Sequence, residues 1–325
     1  MKPPKKIVVG FDGFVDTIAK TSFATIEEFG KYLVGQANKS CSIEMDVIER
    51  RAGGNAPILS KGAMALGLDV TCIGMLGLPA IEPLFASSAT QLYSYANTVD
   101  STALEFKDGK VFLAASIPFV QDIWGKVMHA TNERATTLIQ DADGLAFVNW
   151  SEVSFSETLW RQGFTHAIEP FAIDKTKHIL FDLCDCTRKT TDEVLSVLGL
   201  IKQFSKYRNT ILSLNINEAT DISKKILKNE ERSHQGLAKY LNEQYHIDEV
   251  VVHTPHFSFV STFSQQVEVV TEHIKEPAIL TGAGDTFNSA YLFGAIENME
   301  LKERLQFCNK YVHTYISGCV CVNAK

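Results

Sequence analysis

The sequence has no long apolar stretch: nothing in it approaches the roughly 18 uncharged apolar residues that a membrane span needs. It has no basic excess either. Its 31 Lys and Arg face 38 Asp and Glu, a net charge of −7, which argues against nucleic-acid and anionic-membrane partners, since surfaces that bind them are usually basic. A Gly-Lys-Ser/Thr phosphate loop is missing, and so is a Gly-x-Gly-x-x-Gly fingerprint after the first apolar run. That sets aside the P-loop and makes a nicotinamide dehydrogenase the least favoured enzyme class. There is no internal repeat, low-complexity tract or Pro/Gly/Ser linker. The seven cysteines are odd in number and scattered, and the apolar run at 7–9 is too short for a signal peptide. The expectation is a cytoplasmic protein with reduced thiols.

What is present is an ordinary globular composition, 325 residues with 45% hydrophobic and 21% charged. This length suits about two domains or one large α/β unit. Apolar β-rich runs at 7–10, 70–74, 145–149, 178–183, 210–214 and 249–253 alternate with segments of helical period. The runs lack strict polar alternation, as strands covered on both faces do. Segment 190–206 has a capping Thr190, early Asp192 and Glu193, and apolar Val194, Val197, Leu198 and Ile201. Segment 55–66 places Leu59, Ala63 and Leu66 on one helical face ahead of Gly67. Such alternation predicts a mostly parallel, helix-covered sheet. Segments 42–50 and 102–115 break the rhythm. Both alternate, and Lys107-Asp108-Gly109-Lys110 reads as a hairpin turn. They predict a small β flap with one exposed face, built from two separated insertions. A further hairpin is predicted from 257–263 and 267–271.

The most informative segment is Thr281-Gly282-Ala283-Gly284-Asp285-Thr286-Phe287-Asn288, ahead of a helical run at 290–296. Its glycines let the backbone turn tightly and approach a ligand closely. Amides at a helix N-terminus, together with the helix dipole, favour an anion there. A carboxylate in the same place repels that anion, but suits a base that takes a proton from an attacking hydroxyl. The structural alternative is an ordinary capping aspartate after loop glycines.

The segment resembles the C-terminal signature of the ribokinase-like (PfkB) family of sugar and nucleoside kinases. Overall length and order of elements are also similar. The resemblance implies a three-layer α/β/α ribokinase-like domain with a mainly parallel sheet and a small β-sheet lid. The body would be 1–20, 53–99 and 118–325, and the lid 21–52 and 100–117. It implies ATP and Mg²⁺ as cofactors, Asp285 as catalytic base, and Gly282, Ala283 and Gly284 as an anion hole. Asp12 and Asp16 follow the first strand, at the carboxyl edge where α/β sheets bind ligands. Asp16 matches by position the aspartate with which the family holds its sugar, and a turn role is the alternative for both. Gly53, Gly54 and Asn55 resemble the family's first signature, a Gly-Gly turn beside the sugar, with Pro57 and Ile58 standing where the family often has a sugar-binding Asn. Asn215 and Glu218 resemble the Asn-x-x-Glu motif that orders Mg²⁺ and its waters, and a capped helix start would use the same residues. Thr254, Thr281 and Asn309 are the candidate nucleotide contacts.

The chain also departs from the family. Ile279-Leu280 replaces an acidic-Thr pair that in several members helps hold a monovalent cation. Segment 253–257 has no glycine and offers His253 and His256 toward phosphate, or as plain structural histidines. Segment 74–79 lacks a carboxylate on the sugar side, which points to an unusual substrate. Asp182, Asp185, Arg188 and Lys189 read first as a strand-end turn, with a place in the cleft as the alternative. The pairs Cys184/Cys186 and Cys319/Cys321 read as buried reduced thiols. The expected function is ATP-dependent phosphorylation of a sugar or polyol hydroxyl, with a nucleoside kinase or a non-catalytic sugar- or nucleotide-binding regulator as alternatives. A homodimer through the lid is the expected assembly.

Overall fold

The computed structural model describes residues 3–115, 117, 121–227, 233–275, 277–279 and 281–318. Leu280, Cys319 and Cys321 lie outside the described residues. In chain order the strands are β1 (Lys6–Gly10), β2 (Phe14–Lys20), β3 (Asp46–Gly53), β4 (Asp69–Gly74), β5 (Gln91–Ser94), β6 (Val99–Phe106) and β7 (Gly109–Ala114). They continue with β8 (Gly144–Phe147), β9 (His178–Asp182), β10 (Asn209–Asn215), β11 (Glu249–His253), β12 (Phe257–Ser261) and β13 (Gln266–Val270). The α-helices are α1 (Ile26–Gly35), α2 (Asn55–Ala65), α3 (Ile123–Ala130), α4 (Ala135–Asp141), α5 (Ser156–Ala167), α6 (Thr191–Phe204), α7 (Ile216–Ile226), α8 (His234–Tyr245), α9 (Ala283–Ile296) and α10 (Leu301–Ile316).

The larger sheet has nine strands in the order β13-β12-β11-β10-β9-β8-β1-β4-β5. Every pair from β11 to β5 is parallel, and the predicted C-terminal hairpin adds antiparallel β12 and β13 at one edge. Side chains of one strand alternate between two cores. Ile7 and Val9 join α2, α9 and α10 on one face, whereas Val8 joins the core of α3 to α8 on the other. This is why the strands read as unbroken apolar runs. The predicted cap of α6 is present: Thr190 accepts from the Glu193 amide and Glu193 reaches back to the Thr190 amide.

The second sheet, β3-β2-β6-β7, differs from the expectation in two ways. It takes in β2, which lies within the 1–20 segment assigned to the body, so three segments build it rather than two. The chain leaves the large sheet after β1 and re-enters a strand almost at once, without a composition change to mark the passage. The second difference is at β3. It begins at Asp46 rather than near 42, and Asp46–Arg50 are exposed on both sides because β3 is an edge strand. One face of this sheet is closed by α1, whose Phe29 packs on Ala19 and Leu104. Thr25 caps α1, and the hairpin's Asp108 accepts from the Ile26 amide at the first turn.

α9 is buried on nearly all sides, flanked by α2 and α10. Its far end is tied to β11 and α10 by a buried triad. Glu249 Oε2 accepts from Tyr291 Oη at 2.6 Å and from Arg304 Nη1 at 2.8 Å. Removing one member leaves buried charge and hydroxyl unpaired. Glu249→Ala is therefore expected to lose roughly 3–5 kcal/mol of stability, read from urea denaturation monitored by circular dichroism. A loss under about 1 kcal/mol would show that the triad is not a stabilising tie.

Candidate active site

The carboxyl ends of β1, β9, β10 and β11 and the first turns of α2, α7 and α9 converge on one cleft. Asp12, just past β1, is almost fully buried. Its oxygens accept from the Asn55 amide at 2.8 Å, the Ala56 amide at 2.7 Å and Asn149 Nδ2 at 2.6 Å. Asp12 thus caps α2 from a distance, in place of a side chain at its N-cap Gly54. Burial raises its proton affinity, and the three donors oppose that shift. Asp12 thus anchors the helix start, the structural alternative to a sugar contact. Asn149, which supplies the third donor, escaped the sequence reading. Its one sequence signal is an Asn at the end of an apolar run, a residue type that tolerates left-handed backbone such as its φ of 58.

Asp16 stands on β2. Its Oδ1 accepts from Ser101 Oγ at 2.5 Å, across the parallel β2–β6 pair. On the other side lies Gly53, where a Cβ would come within 2.3 Å of Asp16 Oδ2. Gly53 is required because the carboxylate lies flat against its Cα. Ser101 could not be read from the sequence, since the pairing of residues so far apart in the chain is decided by the fold.

Asp285 sits in the first turn of α9 and is 8% exposed. Its Oδ1 is buried with no hydrogen-bond partner among the described residues. The N-cap Gly282 has φ 87, a conformation that favours glycine, and no side chain caps the helix. The amides of Ala283 and Gly284 therefore start α9 without a side-chain acceptor. Burial, then the negative charges of Asp182, Asp12 and Glu218, hold the Asp285 carboxyl well above the ordinary carboxylate range. Asp182, at the end of β9, belongs to the same cluster. Its oxygens accept from the Cys184 amide and from Asn288 Nδ2, both at 2.8 Å. Asn288 lies one turn after Asp285. The Asn55 side-chain amide reaches both Asp182 and Asp285 and opposes the shift in each. Asp182 therefore belongs to the cleft rather than to a bare strand-end turn.

Asn215 and Glu218 form a complete capping box at the start of α7. Asn215 Oδ1 accepts from the Asn217 and Glu218 amides, and Glu218 accepts from the Asn215 amide and Nδ2. Burial and the neighbouring Asp182 raise the proton affinity of Glu218. Among the described residues no three His, Cys, Asp or Glu side chains lie close enough to hold a metal ion by themselves. The paired carboxylates of Glu218 and Asp182 instead suit a cation that keeps its waters and takes its other ligands from a substrate.

Of the nucleotide candidates, Asn309 on α10 has a buried Nδ2 with no partner among the described residues, a donor ready for a ligand acceptor. Thr281 offers its carbonyl to Tyr315 Oη. Thr254 does not fit the role given to its hydroxyl. That group accepts from the His256 and Phe257 amides and donates to the Phe257 carbonyl, closing the β11–β12 turn. His253 stacks on Phe287 at 4.7 Å beside Gly284. Burial pushes its imidazole down to about 4, so at neutral pH it is an uncharged ring and not a cationic phosphate ligand. Cys184 and Cys186 are free thiols whose proton affinity burial raises.

The His253 shift has a definite sign. The folded state binds its proton less tightly than the unfolded chain, whose value is 6.5. The stability it contributes is complete above pH 6.5 and is lost as pH falls toward 4. His253→Phe is expected to flatten that part of the melting-temperature profile. An unchanged acid slope in the variant would show that the ring is not buried in its neutral form.

The chain matches the family model for prokaryotic ketohexokinase over residues 2–320. No match is found among curated protein sequences. Among solved structures, a ribokinase from Thermotoga maritima is 16% identical with a TM-score of 0.65, covering 97% of this chain and 93% of its own. An adenosine kinase from Sinorhizobium meliloti is 16% identical with a TM-score of 0.67, covering 96% and 94%. A phosphofructokinase-2 variant from Escherichia coli is 13% identical with a TM-score of 0.68, covering 97% and 94%. At such identities the likeness is one of fold, a mainly parallel sheet between helices with a smaller sheet beside it. On the family match over nearly its whole length, and with this ribokinase-like fold, the chain belongs to the prokaryotic ketohexokinase family.

Proposed function

We propose that the protein transfers the γ-phosphoryl group of ATP to a hydroxyl, a primary CH₂OH, of a sugar or related polyol. The observation that carries this reading is Asp285: a buried, proton-avid carboxyl with an unpartnered oxygen, one residue past uncapped amides at the start of α9. A base and an anion-binding helix start are thereby side by side, as phosphoryl transfer to a hydroxyl requires. The family's name makes a ketohexose the first acceptor to test.

In this mechanism Asp16, held by Ser101 and Gly53, accepts hydrogen bonds from acceptor hydroxyls. Asn55 orients the reacting end, and its amide also keeps Asp285 aimed. Asp285 takes the hydroxyl proton as the oxygen attacks phosphorus. The amides of Ala283 and Gly284 receive the charge that builds on the transferring oxygens. Asn309 offers its free Nδ2 to the nucleotide. Glu218 and Asp182 would hold hydrated Mg²⁺, which when bound neutralises phosphate charge. The second sheet carries Asp16, and as a lid it keeps water from competing with the acceptor.

The test is ADP release from MgATP over a panel of ketohexoses, other sugars, polyols and nucleosides. Acceptor-dependent turnover is expected, with Asp285→Asn lower by about 10²–10⁴ in kcat. Full activity in that variant would overturn the role of Asp285, and no turnover with any acceptor would favour a non-catalytic binding protein. Because the base must be unprotonated, kcat/KM is expected to rise with pH, with an apparent pKa above the ordinary 3.8 of aspartate. Gly53→Ala is expected to raise the acceptor KM at least about tenfold by displacing Asp16, while the ATP KM stays within twofold.

A further inference from the structure

Ahead of α9, the described residues 271–275 and 277–279 are outside any strand or helix, and the uncapped start of α9 depends on a Gly282 at φ 87. The last turn of α10 holds the residues next to that start. The Ile316 carbonyl accepts from the Ala278 amide at 2.8 Å and from the Ile279 amide at 3.3 Å. One residue earlier, Tyr315 Oη donates to the Thr281 carbonyl at 2.8 Å. The same hydroxyl would lie 2.8 Å from a Cβ on Gly282, whose other flank is the Ile58 side chain at 3.0 Å. Gly282 is thus gripped between α2 and the tyrosine.

We propose that Tyr315 is a positioning residue for the phosphoryl-binding turn, an inference that rests on the function proposed above. Its hydroxyl fixes the Thr281–Gly282 peptide and so aims the Ala283 and Gly284 amides at the transferring group. In this role it acts through the turn rather than on acceptor or nucleotide. Stabilisation of a developing charge depends steeply on where the donors point, so a small loosening here lowers turnover without weakening acceptor binding.

The fold supplies a control. Tyr311, one turn earlier on the same helix, donates to the Gly62 carbonyl in the middle of α2, also at 2.8 Å. Tyr311→Phe removes a hydroxyl from the same helix that bonds α2 rather than the turn. Tyr315→Phe is expected to lower kcat about tenfold with the acceptor KM within twofold, and Tyr311→Phe to leave both unchanged. Equal kcat in wild type and Tyr315→Phe, or an equal drop in both variants, would overturn the proposal while leaving the kinase reading intact. A second readout is independent of turnover. The Thr286 amide makes the first bond of α9, to the Gly282 carbonyl at 2.9 Å. Its hydrogen exchange is expected to quicken several-fold in Tyr315→Phe and not in Tyr311→Phe. If the wild type phosphorylates nothing, the function fails. Unchanged exchange would then refute the positioning role separately, and faster exchange in Tyr315→Phe alone would uphold it.

Discussion

Repulsion among buried carboxyl groups is the constraint that the rest of this molecule answers. Asp12, Asp182, Glu218 and Asp285 gather at the carboxyl edge of one sheet; burial raises the proton affinity of each, and neighbouring carboxylates raise those of Asp182, Glu218 and Asp285 further. Isolated charges in such a place would be prohibitive. The chain meets the cost with donors that carry no positive side chain. Helix-start amides serve Asp12, neutral asparagine amides serve Asp12 and Asp182, and a capping box serves Glu218. A neutral donor steadies a carboxylate without cancelling its charge, so the cleft keeps the negative field that a polyvalent cation needs.

This arrangement explains what the sequence could and could not disclose. The start of α9 stands out in the sequence because two glycines, an acid and a small-residue helix stand together in eight consecutive residues. The sheet was legible because covered strands must be continuously apolar. For Asp12 the position after β1 is the same for a ligand contact and for a helix anchor. Only the approach of Asn55 and Ala56, brought by the fold from distant sequence, tells the two apart. Asn149, Ser101 and Tyr315 act through contacts with residues 137, 85 and 34 positions away. No local pattern records such pairings. Thr254 misled for the opposite reason: its hydroxyl is fully employed by its own turn, which the sequence around it gave no reason to expect.

α9 is the axis around which these contacts are arranged. Its start faces the cleft, and its end is tied to β11 and α10 by the Glu249, Tyr291 and Arg304 triad. Its flanks are α2, whose first turn Asp12 holds, and α10, whose last turns reach the loop ahead of Gly282. Each end is thus referenced to the sheet through a different set of bonds. A helix buried on nearly all sides has no freedom to rotate or slide without breaking them, and the carboxyl on its first turn inherits that rigidity.

The two acids on which the proposed chemistry turns are not mounted alike. Asp285 belongs to the large sheet and its helices, whereas Asp16 belongs to the small sheet, backed by Ser101 of the same sheet. Besides the connection from β7 to α3, the two sheets are joined by short backbone passages at 11–13, at Gly54 and at 95–98. These joints act as a caliper. A molecule measured between the two acids is judged by length and by how far the joints must flex to admit it. Under the proposed function, selectivity among acceptors of similar polarity is then a mechanical property of these connections, and sequence change there would retune it.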